Sequence, residues 1–201
     1  MRHLLSPVLV TILLGCASVA HADVHNFTTA LSGDREVPPN SSPATGMASV
    51  LIDDAANTMS LHVTFSGLVG TTTAAHIHCC TAEPGMGDSG VATTLPSFAM
   101  FPLGVTSGTY DKTLDLLSAS TYNPAFITAA GGTLALAEAQ LLSGLATGSS
   151  YFNIHTSAYP GGEIRGFLVA APIPAPGELT MLVMGLAGLA GVAGVRRWRK
   201  G

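Results

Sequence analysis

Met59-Ser60-Leu61-His62-Val63-Thr64-Phe65, residues 59–65, alternates apolar and polar side chains without a break. In an extended chain successive side chains point to opposite faces. Met59, Leu61, Val63 and Phe65 therefore share one face, and Ser60, His62 and Thr64 the other. This is the pattern of a half-buried strand. Ala48, Val50 and Ile52 repeat it one hairpin earlier, with Asp53-Asp54-Ala55-Ala56-Asn57 as the turn between. Phe152 and Ile154 alternate with Tyr151, Asn153 and His155, and Tyr159-Pro160-Gly161-Gly162 then turns the chain into Glu163–Val169. Only residues 134–145 read as helical, with Leu134, Ala137, Leu141 and Leu145 along one side. Period-two alternation with frequent glycine and threonine predicts an all-β body over residues 23–170: an antiparallel Greek-key β-sandwich with one short helix.

The ends of the chain point outside the cytoplasm. Arg2, the apolar run Leu4–Leu14 and the small residues of Ala20-His21-Ala22 read as a signal peptide over residues 1–22, cleaved before Asp23. Leu13-Leu14-Gly15-Cys16 loosely matches a lipobox, but Leu14 is bulky where a small or branched residue is usual. At the other end, Leu179–Val195 is an uncharged apolar run of 17 residues. As a helix it covers about 25 Å, close to a ~30 Å hydrocarbon core. Gly185, Gly188, Gly191 and Gly194 make it a poor soluble helix, which favours a C-terminal transmembrane helix. Arg196-Arg197-Trp198-Arg199-Lys200 fits an interfacial, cytoplasmic basic tail over 196–201. Residues 171–178 form a Pro-rich spacer.

This tail resembles the PEP-CTERM sorting segments of Gram-negative bacteria. The resemblance implies recognition by an exosortase-type sorting protease and either membrane anchoring or release to the surface or matrix. The motif region, Pro172-Ile173-Pro174-Ala175-Pro176-Gly177-Glu178-Leu179-Thr180, holds no Pro-Glu-Pro tripeptide and so departs from the family pattern.

Between the ends the charge is one-sided. Arg35, Lys112 and Arg165 stand against eleven acidic residues, a formal charge of −8 over residues 23–170. With no basic stripe, nucleic acid is not an expected partner. No Gly-x-Ser-x-Gly elbow, His-Glu-x-x-His motif or lysine-bearing phosphate loop is present, so no prepared nucleophile is visible.

Three segments in order carry a second resemblance: Leu31-Ser32-Gly33-Asp34-Arg35-Glu36-Val37-Pro38-Pro39, then Ala75-His76-Ile77-His78, then Tyr151-Phe152-Asn153-Ile154-His155-Thr156 running on to Pro160-Gly161-Gly162-Glu163-Ile164-Arg165-Gly166. Together they resemble the chordin-type (CHRD) domain over nearly all of 23–170. The resemblance implies a secreted or cell-surface β-sandwich without an established catalytic role. The expected partners are then an extracellular matrix polymer or a surface protein.

His76 and His78, two apart on a strand, share a face, with Ile77 opposite. If the strand ending at His155 is their neighbour, three imidazoles converge, and zinc or copper takes such nitrogen donors at about 2.0–2.1 Å. A His-x-His strand also supplies ligands in copper/zinc superoxide dismutases, which gives an alternative reading as a metal-binding or dismutase-like protein. The competing reading is a hydrogen-bonded polar cluster that positions the loop 79–94. His25 and His62 have no motif around them and are expected to be exposed. Cys79 and Cys80 are the only cysteines after signal removal. Free thiols rarely persist outside the cytoplasm, so a vicinal disulfide is expected, against thiolate ligation beside His78 or pairing with another chain. Glu163 and Arg165, two apart, are expected to form a surface ion pair.

Overall fold

Each alternating run becomes a strand. In the computed structural model, which describes residues 23–172, the first three strands are β1 (Val24–Ser32), β2 (Thr45–Asp53) and β3 (Thr58–Ser66). They form an antiparallel meander in continuous register, Val50 opposite Phe27 and Leu61. The β2–β3 turn closes on Asn57, whose φ of 51° an asparagine tolerates better than most residues. Then come β4 (Thr72–His78), β5 (Gly108–Asp115), helices α1 (Pro124–Ala129) and α2 (Leu134–Ala146), and strands β6 (Tyr151–Thr156), β7 (Ile164–Phe167) and β8 (Val169–Ala171).

The strands lie in the order β4-β6-β7-β1-β2-β3-β5, with β8 also on β1. The hydrogen-bonded path is one continuous, curled antiparallel sheet, whose two halves make the expected sandwich-like body. Its seam is narrow. β1 pairs β8 through Asn26, Phe27 and Thr28, then touches β7 only through Ser32 opposite Arg165. Gly166 permits that approach, since a Cβ there would run into the carbonyl oxygen of Ala30 and the Thr29 hydroxyl.

The core lies between the two halves of the curl. Val50, Met59 and Val63 face it from one half, Ile77, Phe152 and Ile154 from the other, all fully buried. Phe98, on the long β4–β5 connection, bridges them: its ring stacks on Phe152 at 5.9 Å and on Tyr110 of β5 at 6.1 Å. The expected helix is present as α2. The shorter α1 has Pro124 in its first turn and is capped by the Asn123 side chain, which accepts from Ala125 N at 3.0 Å. At six residues it is too brief to show an apolar period.

Glu163 and Arg165 depart from the expected surface pair, because neither is on the surface: they are 0% and 2% exposed. Arg165 turns to Glu36 and Asp88 instead. The Glu163 carboxylate accepts from Ser42 Oγ (2.6 Å), Val69 N (2.6 Å), Gly70 N (3.2 Å) and Thr156 Oγ1 (2.6 Å). Burial alone would raise its pKa; the four donors outweigh it and hold the carboxyl below its ordinary value.

No helix among the described residues is long and apolar enough to cross a membrane. The signal peptide (1–22), the sorting motif and most of the spacer (173–178), the transmembrane helix (179–195) and the basic tail (196–201) lie outside the described residues.

Glu163→Gln tests the buried carboxylate. A group with a depressed folded pKa stabilises above its unfolded pKa, and that contribution is lost as pH falls through the folded value. Urea titrations should show Glu163→Gln less stable than the parent by about 2–4 kcal/mol at pH 7. The gap should narrow as pH falls below the ordinary value of 4.5. A gap that is constant with pH contradicts this account.

Candidate metal centre

Strand β4 pairs with β6, Ala74 opposite His155, His76 opposite Asn153 and His78 opposite Tyr151. Side chains alternate, so Ile77, Phe152 and Ile154 enter the core, while His76, His78, Tyr151, Asn153 and His155 share the other face. That face is also covered: His76 and His78 are buried and His155 is half-buried. The ring centroids lie 5.9 Å (His76–His78), 5.3 Å (His76–His155) and 6.0 Å (His78–His155) apart. One nitrogen from each ring falls within 4.8 Å of the other two.

The second nitrogen of each ring is already used. His76 Nε2 contacts the Pro96 carbonyl at 2.8 Å, His78 Nδ1 that of Ser89 at 2.9 Å and His155 Nδ1 that of Pro160 at 3.0 Å. A carbonyl only accepts, so each of these nitrogens carries the proton and donates. The remaining nitrogens, His76 Nδ1, His78 Nε2 and His155 Nε2, are then bare lone pairs, buried and without a hydrogen-bond partner. Fixing one nitrogen on a carbonyl and presenting the other is how metal-binding histidines are oriented. Nitrogens around one ion at 2.0–2.1 Å would sit roughly 3.3–3.6 Å apart, which small rotations of the rings can reach.

Electrostatics keeps the lone pairs free. Burial pushes the His76 pKa down to about 4, opposed by its bond to Pro96 and reinforced by the neighbouring imidazoles. Burial lowers His78 and His155 as well. In each ring burial favours the uncharged form.

Around the rings sits a stacked column. Tyr151 packs parallel to His78 at 4.6 Å and carries the Arg165 guanidinium 4.6 Å from its own ring centre. Asp88 accepts from both Tyr151 Oη and Arg165, so the glycine-rich loop is tied to the column. Gly85 and Gly87, at φ of 75° and 86°, shape the turn that delivers it. Glu36 also faces Arg165, at 3.9 Å, yet burial outweighs the guanidinium charge and raises its pKa to about 7.

Cys79 and Cys80, directly after His78, are joined to each other. They pack on α2 at Gly144, where a Cβ would overlap both sulfurs. Neither sulfur joins the histidine cluster. His25 and His62 lie apart from it, exposed, each beside a carboxylate: Asp54 at 3.1 Å and Asp111 at 2.6 Å.

The polar-cluster reading and the convergent-ring reading are therefore compatible: one nitrogen of each ring serves the first, the other is left for the second. Sequence reasoning missed the supports. Tyr151 sits on the same strand face as His155 and was legible by alternation. Asp88, Ser89, Pro96 and Pro160 lie in loops with no period to mark them.

Nitrogen-15 NMR of the imidazoles should find His76 as the Nε2–H tautomer and His78 and His155 as Nδ1–H tautomers in the metal-free chain. The reverse tautomer at His76 would place its lone pair on Pro96 and break the arrangement.

No curated protein and no solved structure matches this chain. A family model described as the CHRD domain matches residues 27–168, from within β1 to the residue before β8, with all three histidines inside the matched span. The chain belongs to the CHRD domain family.

Proposed function

We propose that this protein is an exported, envelope-tethered CHRD domain that binds a transition-metal ion, zinc or copper, through His76, His78 and His155, without turnover. One observation carries the reading: three buried, unprotonated imidazole nitrogens face one another with no hydrogen-bond partner. Leaving each unsatisfied costs about 1–3 kcal/mol, so three together are a large debit for one small domain. A shared ion would offset it. Imidazole donors favour zinc and copper over calcium and magnesium, which take oxygen ligands.

The signal peptide and the apolar, arginine-ended tail support export and anchoring, with an exosortase-type protease as the processing partner. The dismutase-like alternative needs substrate to reach the ion, whereas the ligand nitrogens expose no surface. That favours holding a metal over reacting at it.

A second reading, a module for a matrix polymer or surface protein, is favoured by a groove between β1, β2 and the glycine loop. Val37, Met47, Met86 and Val169 line it, each more than half exposed, with Arg35 among them.

Metal analysis of the whole purified chain should find one zinc or copper per molecule. His78→Ala should lose it and keep the parent circular dichroism, because Ile77 carries the core face of β4. Stoichiometric metal retained by folded His78→Ala refutes the site. In the groove reading, Met47→Glu with Met86→Glu should abolish binding to isolated cell envelopes and leave metal content unchanged. Envelope binding that survives both substitutions rules out the groove.

A further inference from the structure

We infer that the ion this site is built for is monovalent copper, held by three imidazoles with neither water nor an anionic ligand. The inference rests on the three-histidine reading above, and charge is its first support. Each ligand is neutral, and the second nitrogen of each donates its proton to a backbone carbonyl, so none is poised to become an imidazolate. The sulfurs beside His78 are joined to each other and supply no thiolate. Asp88, whose charge reaches His78 and His155, is committed to Tyr151 and Arg165. An ion here keeps its full charge in a buried place. The Born cost of burial grows with the square of the charge, so a divalent ion costs about four times as much as a monovalent one.

Coordination number is the second support. Among the described residues, the His, Cys, Asp and Glu side chains that close on this point are His76, His78 and His155 alone. Their free nitrogens expose no surface to water. Zinc takes four ligands, the fourth being protein or water. Monovalent copper, with a filled d shell, is satisfied by three in a plane.

The test titrates the whole chain, stripped of metal and kept anaerobic, with copper(I) buffered by bicinchoninate, and with zinc(II) and copper(II) in parallel. One copper(I) should bind per chain, at least about 100-fold more tightly than zinc(II). The copper should stay silent in electron paramagnetic resonance after exposure to air. His155→Ala, which removes the half-buried ligand, should lose copper(I) while keeping the parent circular dichroism. Tighter zinc(II) binding, or a full copper(II) signal in air, overturns the cuprous inference and leaves the three-histidine site standing. If none of the three ions binds, both fall.

Discussion

A carboxylate with no exposed surface holds three distant segments of this chain together. Glu163 accepts from Ser42 at the approach to β2, from the backbone of Val69 and Gly70 before β4, and from Thr156 at the end of β6. A buried carboxylate is tolerable only when its oxygens are well supplied with donors, and these four supply it. Removing any one segment would leave a charge in the interior. The consequence reaches the site: the start of β4 and the end of β6 are held side by side, which fixes the register that sets Ala74 opposite His155. A slip of β4 by one residue would send His76 and His78 into the core, away from His155, and Ile77 out.

The site face resolves a conflict that most sheets avoid. Both faces of the β4–β6 ladder are covered, one by Phe98 and its neighbours, the other by loops that end in Ser89, Pro96 and Pro160. Polar rings can be buried only if their nitrogens are satisfied. Backbone carbonyls do this for half of them, and the other half point inward at each other. The same loops that shield the rings also choose which nitrogen of each is free. In the proposed metal reading, second-nitrogen bonds, lowered pKa values and exclusion of water are one arrangement seen three ways. The Arg165–Tyr151–His78 column then ties the glycine loop to the ring nearest it.

Much of this was legible before any coordinates. Alternation at 48–52, 59–65 and 151–155 marked strands because each has one face in the core, and the His-x-His spacing fixed a shared face for His76 and His78. That β4 and β6 are neighbours was a condition the sequence could state but not meet, since strand pairing across 73 to 84 residues leaves no local mark. Glu163 and Arg165 looked like a surface pair because their spacing says nothing about what covers them. The loops carry the supporting carbonyls, and a carbonyl has no sequence signature. Phe98 was hidden for a similar reason: it reaches the core from an aperiodic connection. The single seam between β1 and β7 depends on Gly166, whose meaning appears only once Thr29 and Ala30 are seen against it.

The central claim is that His76, His78 and His155 are arranged by their carbonyl partners to share one ion. A crystal structure of the metal-loaded chain, with the ion located by anomalous scattering, tests it most directly. The account predicts a single ion bound by His76 Nδ1, His78 Nε2 and His155 Nε2 at about 2.0–2.1 Å, with the bonds to Pro96, Ser89 and Pro160 retained. An ion bound elsewhere, or rings that abandon those carbonyls to reach it, would contradict the account.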